Sequence, residues 1–338
     1  MKHQIGLLSL LLLILSSCVS TETVEPGKTK ESETVVINLK AEGNAASRAG
    51  QDYKLRYIAK IFEGQKLNSL GSNPVDRKEI IDGESDVNQI VFKVTPDKYY
   101  SILVFADYIP ADSQPDEGLY KDYFYDTHTN AKTVTMRTTP GSNSNVVSAA
   151  FFNNDNYDCF FNYETILKNR EEYTINMTLE RITAQVKFQE KSEIEGETSI
   201  KVNKLGIRPI YAMDLSQSSP MAASEANKLF SDVNLADVAE ITETNKDLFY
   251  FYTLADRQNS SQYVSIQFKV TQNGEDSENI SIIEIPVKSN FRTLVKGEYL
   301  KDFSEPDLPD DDDPSTKEGD ILLNLTTNTT WEQESLSK

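Results

Sequence analysis

Few residues in this chain have the types and neighbours that nucleophilic or acid–base chemistry needs. Histidine occurs twice, as His3 and His128. A Ser-His-Asp or Cys-His system would have to draw on His128, which sits in Tyr125-Asp126-Thr127-His128-Thr129-Asn130 with no nucleophile motif beside it. It reads as an exposed loop histidine. Cysteine also occurs twice, and Cys159, in Tyr157-Asp158-Cys159-Phe160-Phe161, reads as a small buried hydrophobe, with a reactive thiol as the rarer alternative. No glycine-rich phosphate loop, paired metal-ligand spacing or Cys-x-x-Cys is present. With 53 Asp and Glu, a carboxylate pair at a glycosidase-like separation arises by chance, so acidity alone says nothing about such chemistry. No catalytic residue, metal ligand or cofactor is expected, and the chain reads as a non-enzyme.

The cysteine placed for a covalent reaction is Cys18. Lys2 and His3 form a short basic leader, and Ile5 to Leu15 form a mostly apolar run of eleven residues, too short to span a bilayer but as long as a secretory signal core. Leu15-Ser16-Ser17-Cys18 follows and resembles the bacterial lipobox, in which the cysteine thiol takes a diacylglycerol before the peptide is cut. Residues 1–17 are then a lipoprotein signal peptide and Cys18 becomes the first mature residue, its acyl chains inserting at about 0.8 kcal/mol per buried methylene. A plain secretory signal that happens to contain a cysteine is the alternative. With Cys18 acylated, Cys159 has no partner in the chain, which excludes a disulfide framework. Residues 18–33 are mainly Ser, Thr, Glu and Lys and read as a disordered tether. Val19 and Ser20 lack the aspartate of inner-membrane retention, so sorting to the outer membrane is expected, with either leaflet open to it.

Lys and Arg total 34 against 53 acids, a formal charge of −19. Such a surface repels phosphate backbones and anionic headgroups, so nucleic-acid partners are excluded and membrane contact falls to the anchor.

The elements after the tether are mostly strands. Val35–Leu39, Lys54–Phe62 and Ile90–Val94 alternate apolar and polar residues, as half-buried strands do. Tyr99–Tyr108 is a more continuous apolar run, expected to be central and covered on both faces, with Pro110 ending it. Residues 111–160 read as loops interrupted by Thr133–Met136 and Ser148–Phe152. Tyr173–Leu179 runs almost directly into Ile182–Phe188, which predicts a boundary near residue 180 between domains at 34–180 and 181–338. Further strands are predicted at Ser199–Pro209, Leu248–Thr253, Tyr263–Thr271 and Ile280–Val287, with a hairpin at Gln272-Asn273-Gly274. Ala222–Phe230 reads as helix, and Asp232–Thr244 as room for a further helical turn. Residues 304–318 hold three prolines and the run Asp310–Asp313. They read as a solvated linker, since no calcium-loop spacing appears. A last strand is predicted over residues 320–331, where Ile321, Leu323 and Leu325 are candidates for packing against its own domain or another molecule.

Three stretches carry a family resemblance. Pro286, Lys288, Asn290, Phe291, Arg292, Thr293, Gly297 and Leu300 fit the "Pro-Val/Ile-Lys-x-Asn-Tyr/Phe-Arg-Thr" and "Gly-x-x-Leu" segments of the fimbrillin-type lipoproteins of Bacteroidales. Leu179-Glu180-Arg181-Ile182-Thr183-Ala184-Gln185-Val186 resembles their inter-domain "Leu-x-Arg-x-x-Ala-Lys-Val", with Gln185 for the usual lysine, and Tyr100–Tyr108 also agrees. The resemblance implies two tandem transthyretin-like β-sandwiches and a role as a subunit or anchor of a type V fimbria in adhesion, with other fimbrial subunits as partners. It also implies, for polymerising members, cleavage after an arginine beyond the first strand, which opens a groove for a neighbouring subunit's strand. Arg48, before Ala49, stands where that cut would fall. An ordinary loop arginine is the other reading of Arg48. A surface lipoprotein that binds glycan or a host protein without polymerising is the other reading of the whole chain.

Overall fold

The computed structural model describes residues 33–42, 52–300 apart from short internal stretches, the longest of them 222–229, and 324–328. The first half carries β1 (Glu33–Ala41), β2 (Tyr53–Glu63), β3 (Asp76–Ile81), β4 (Gln89–Val94), β5 (Lys98–Pro110), β6 (Tyr125–Asp126), β7 (Thr133–Met136), β8 (Phe160–Lys168) and β9 (Glu172–Arg181). After it come β10 (Thr183–Glu190), β11 (Thr198–Arg208), β12 (Ala212–Asp214), β13 (Ser219–Pro220), β14 (Phe230–Ile241), β15 (Asp247–Leu254), β16 (Gln262–Gln272), β17 (Glu275–Asp276), β18 (Ile280–Val287), β19 (Arg292–Gly297) and β20 (Asn324–Asn328). The protein is mainly β. Helix among the described residues amounts to short 3-10 turns such as Ala149–Phe151, which takes up most of the expected Ser148–Phe152 element.

One sheet runs β3-β2-β5-β8-β9-β1-β4. β8 pairs with β5 from Lys98↔Lys168 to Ala106↔Phe160, yet meets β9 only at Phe160↔Arg181 and Phe161↔Glu180. The ladder therefore turns a corner there, and β9-β1-β4 folds over β8-β5-β2-β3. Val35 and Ile37 of β1, Phe92 of β4, and Ile58, Ile102 and Val104 of β2 and β5 are all fully buried in the resulting core.

The alternation expected of β2 as a half-buried strand does not hold: Leu55 to Phe62 are all buried, Arg56 and Lys60 included. A segment around Tyr120–Thr127 covers the second face and accepts hydrogen bonds from those two cations. β5 is covered on both faces and ends at Pro110, as expected.

Beyond residue 182, one sheet runs β15-β10-β19-β20 and another β14-β11-β16-β17, with β18 also on β16. Phe188, Phe249, Phe268 and Tyr299 form an aromatic cluster between them, the Phe188 and Phe249 rings stacking at 4.6 Å. Thr271↔Asp276 and Gln272↔Glu275 pair on either side of Asn273-Gly274, the expected hairpin. The helical turn expected within 232–244 is instead strand β14, paired with β11 with register shifts that let a polar sequence follow its partner. The helix expected over 222–230 and the acidic 304–318 segment lie outside the described residues, except Phe230, which opens β14. A small sheet β13-β12-β7-β6 takes strands from both halves, with Met213 of β12 opposite Val134 of β7. The expected Thr133–Met136 element is thus strand β7, and it serves as a bridge between the halves.

Candidate functional site: the groove held by the first strand

β1 lies between two partners, parallel to β9 from Thr34↔Glu172 to Ala41↔Leu179 and antiparallel to β4 from Glu33↔Val94 to Asn38↔Gln89. Its inward side chains are Val35, Ile37, Leu39 and Ala41, all buried. At about 1.5–3 kcal/mol for each large aliphatic side chain, the first three hold the strand by roughly 6 kcal/mol of burial. At the end of the strand the Ala41 N–H donates to the Tyr57 hydroxyl (3.2 Å), and the next residue's Glu42 N–H donates to the Leu179 carbonyl (2.8 Å). Burial and the Asp82 charge hold the Tyr57 phenol above its ordinary value, so it stays neutral and donates to Asp82 (3.0 Å).

On the outer face three amides line up across the three strands. The Asn38 side-chain amide donates to Asn176 Oδ1 (2.8 Å), and Gln89 Nε2 donates to Asn38 Oδ1 (3.0 Å). Removing β1 would leave Ile90, Phe92 and Val94 of β4 and Ile175, Met177 and Leu179 of β9 without their cover, along with two rows of backbone groups that need partners. Such a cleft takes another strand.

Of the residues singled out in the sequence, Cys18, Arg48 and Ala49 lie outside the described residues, as do Ile321 and Leu323. A cut at Arg48 would fall between Glu42, which follows β1, and Asp52, which precedes β2. Leu325 is in β20, opposite Val295 of β19 in the chain's own sheet. His128 is exposed, with Nδ1 2.8 Å from Asp122 Oδ2. Cys159 is fully buried, and burial pushes its thiol well up, so it is inert. Among the described residues no cluster of His, Cys, Asp and Glu is arranged to hold a metal.

Two further polar networks are buried in the fold. The first is ionic and lies on the far face of β2 and β5. Arg56 is fully buried and donates to both Asp107 oxygens (2.9 and 2.8 Å), to Asp122 (2.9 Å) and to the Tyr120 carbonyl (3.0 Å). Burial would lower the guanidinium, but the Asp107, Glu79 and Asp122 charges outweigh it and hold Arg56 above its ordinary value. Burial pushes Asp107 up to about 6 against the pull of Arg56. Asp122 goes the other way: its burial is outweighed by the His128 hydrogen bond and the Arg56 charge, which hold it well below the carboxylate range. Lys60 Nζ donates to the Thr127 carbonyl (2.8 Å), and burial, with Arg77 nearby, lowers it to about 7. Sequence alternation hid this network. The signal was Asp107, a carboxylate in a strand covered on both faces, which requires a buried cation beside it.

The second network joins the stretches that carry the family resemblance. Arg181 Nε lies 2.9 and 2.8 Å from the Asp158 oxygens, and the guanidinium stacks over the Phe160 ring. Its Nη1 reaches Asn290 Oδ1, whose own N–H donates to the Thr183 carbonyl (2.8 Å), and Ser289 Oγ donates to the Arg181 carbonyl. Asn290 adopts φ 63°, a left-handed conformation that asparagine tolerates better than most residues. Gln185, in place of the lysine, accepts from Arg292 Nε (2.5 Å) and donates to the Tyr252 hydroxyl (3.2 Å). Gly297 is required because the Tyr299 ring packs on it: an added Cβ would lie 2.6 Å from Tyr299 Cζ.

Residues 25–330 match the profile of a family described as "Family of unknown function (DUF6562)". No curated protein matches the chain. Among solved structures, a candidate cell adhesion protein from Bacteroides eggerthii is 11% identical, with 88% of this chain and 95% of that one covered at a TM-score of 0.45. The tip fimbrial protein Mfa3 from Porphyromonas gingivalis with C-terminal truncation is 10% identical, with 88% and 99% covered at 0.43. A fimbrial assembly protein from Parabacteroides distasonis is 14% identical, with 88% and 98% covered at 0.39.

Proposed function

We propose that this chain, which belongs to the DUF6562 family, is a fimbrillin-type surface lipoprotein: a subunit or anchor of a fimbria, lipidated at Cys18 and assembled by exchange of its first strand. The two halves are read as tandem transthyretin-like sandwiches, joined by the Arg181–Asp158–Asn290 clamp. Other subunits are its partners, and it carries out no catalysis. The observation that carries the reading is β1 itself. It is central rather than at an edge, covers Phe92 and Ile175 on its inner side, and is followed directly by the segment with Arg48. A cut there detaches an element that the rest of the sheet cannot replace internally.

A second reading, a monomeric surface lipoprotein that binds glycan or a host protein, is favoured by an exposed trio on the β5–β8 pair: Tyr99, its partner Leu167, and Tyr163, which are 39%, 37% and 45% exposed. Intact mass and N-terminal sequencing of protein recovered from the cell surface test the exchange of the first strand. A chain beginning at Ala49 supports strand exchange. An acylated chain beginning at Cys18 leaves β1 in place and supports an anchor or the monomeric binder.

A further inference from the structure

Among the described residues, the long sheet of the first half ends in β3 on one side and β4 on the other. Hydrogen-bond alternation fixes which backbone groups each edge presents. The Leu39 N–H donates to the Asn88 carbonyl (2.8 Å) in the register that also pairs Ile37 with Ile90 and Val35 with Phe92, so Ile90, Phe92 and Val94 bond to β1. Gln89, Val91 and Lys93 therefore turn their N–H and C=O groups to the free side. On β3 the Asp82 N–H donates to the Leu55 carbonyl (2.9 Å), which by the same alternation sends the groups of Arg77, Glu79 and Ile81 to the free side.

A charged side chain sits on a backbone group at each edge. On β3 the Asp76 carboxylate accepts from the Arg77 N–H (2.8 Å). Lys78 reaches from β3 to β4, where its ammonium donates to the Val91 carbonyl and lies 5.5 Å from the centre of the Phe92 ring. Lys78 stands opposite Ala59 and shares its face, and Phe92 is fully buried, so this lysine points inward at the rim of the core. An inward-pointing charge on an edge strand works against edge-to-edge pairing.

The sequence of β4 defines the pairing that this lysine opposes. Laid antiparallel on itself about Val91, the strand sets Val91 opposite Val91, Ile90 opposite Phe92 and Gln89 opposite Lys93, with no like charges facing each other. Such a contact is two-fold and self-complementary. The two Val91 residues would exchange both backbone hydrogen bonds, and the Val91 carbonyl is the group that Lys78 holds. In the pair, the ammonium would be pressed against the apolar Ile90–Phe92 row, where an unpaired charge is costly. We propose that the outer edge of β4 is a latent pairing surface for β4 of a second copy, and that Lys78 keeps it closed. The inference is independent of the exchange of the first strand, which concerns the other side of β4.

Sedimentation equilibrium of the full chain tests this. Lys78→Met keeps a stem over Phe92 and removes the ammonium, and it should dimerise about tenfold more tightly than the wild type. Lys78→Arg, which keeps the charge and the donors, should not. Adding Val91→Pro to Lys78→Met should cancel the gain, because the Val91 N–H faces away from β1 and proline there spares the β1 ladder. Lys78→Thr gives the same readout should Lys78→Met fail to fold, with circular dichroism as the check on each variant. A folded Lys78→Met or Lys78→Thr chain that associates no more tightly than the wild type overturns the proposal. Association that survives Val91→Pro overturns it too, since another surface then makes the contact.

Discussion

Lys60 is the side chain whose burial has the plainest consequence. Unfolded, it titrates near its ordinary value of about 10.4, and folded it is lowered to about 7, so between these values the unfolded chain binds a proton that the folded protein does not. Stability therefore rises with pH across roughly 7 to 10 and is lowest below 7, where the charged ammonium sits buried. The size is on the order of a few kcal/mol. Urea unfolding at pH 7 and pH 9.5 should show this rise in the wild type and a flat response in Lys60→Met; equal slopes in both would remove Lys60 as the cause. Asp107 works in the opposite sense. Its folded value is raised to about 6, so its contribution is full below about 4 and declines as pH rises to about 6, and Asp107→Asn should remove that decline. Gly297 gives a third case at this scale. Gly297→Ala must push the Tyr299 ring out of the aromatic cluster, at about 1–3 kcal/mol, and a Tyr299→Ala background should absorb most of that loss in a double-mutant cycle. Independent losses would mean the two residues do not meet. These residues differ in how visible they were. Arg181, Asn290 and Gly297 stood out through resemblance, whereas Arg56 and Lys60 looked like the solvated face of an alternating strand, because the segment that covers them is distant in sequence.

At the scale of elements, legibility followed apolar periodicity. β1, β4, β5, β9, β16 and β18 have it and were readable within a few residues of their ends. β3, with the sequence Asp-Arg-Lys-Glu-Ile-Ile, does not, because Glu79 is buried as an ionic partner of Arg77 and Arg56 rather than as a hydrophobe. β14 was missed because its residues are mixed in polarity and its pairing with β11 is irregular, so no period of two survives. The position of β1 was legible only as a strand near the N-terminus. That it sits inside a sheet, parallel to a strand more than a hundred residues later, is a long-range pairing that no local pattern encodes. That placement yields a prediction. Ile37→Ala should destabilise the uncleaved chain by about 2–5 kcal/mol, the usual cost of truncating a fully buried aliphatic side chain. After cleavage within 43–51 the same change should speed loss of the freed strand, followed by size exclusion and mass. Retention of the variant strand as long as the wild-type one would mean that inward packing does not hold β1.

At the scale of the molecule, the question is whether the parts on either side of residue 182 unfold separately. Tandem sandwiches on a flexible linker would do so, each with its own transition. Here little linker remains: β9 ends at Arg181 and β10 begins at Thr183. Contacts cross the joint at several separate places. Arg181 holds Asp158 on one side and Asn290 on the other. Asn153 accepts from the Tyr250 N–H (2.9 Å), Phe151 stacks against Phe251, and β7 pairs with β12. Each of these elements is anchored in its own half by buried neighbours, so opening one half exposes apolar surface belonging to the other. The expected outcome is a single cooperative unfolding transition for the described region, with equal calorimetric and van't Hoff enthalpies. Val134→Asp, which buries a carboxylate in the bridging sheet where Val134 is fully enclosed, should lower the melting temperature and broaden or split that transition. Two resolved transitions in the wild type would instead mean that the bridging sheet and clamp are too weak to couple the halves.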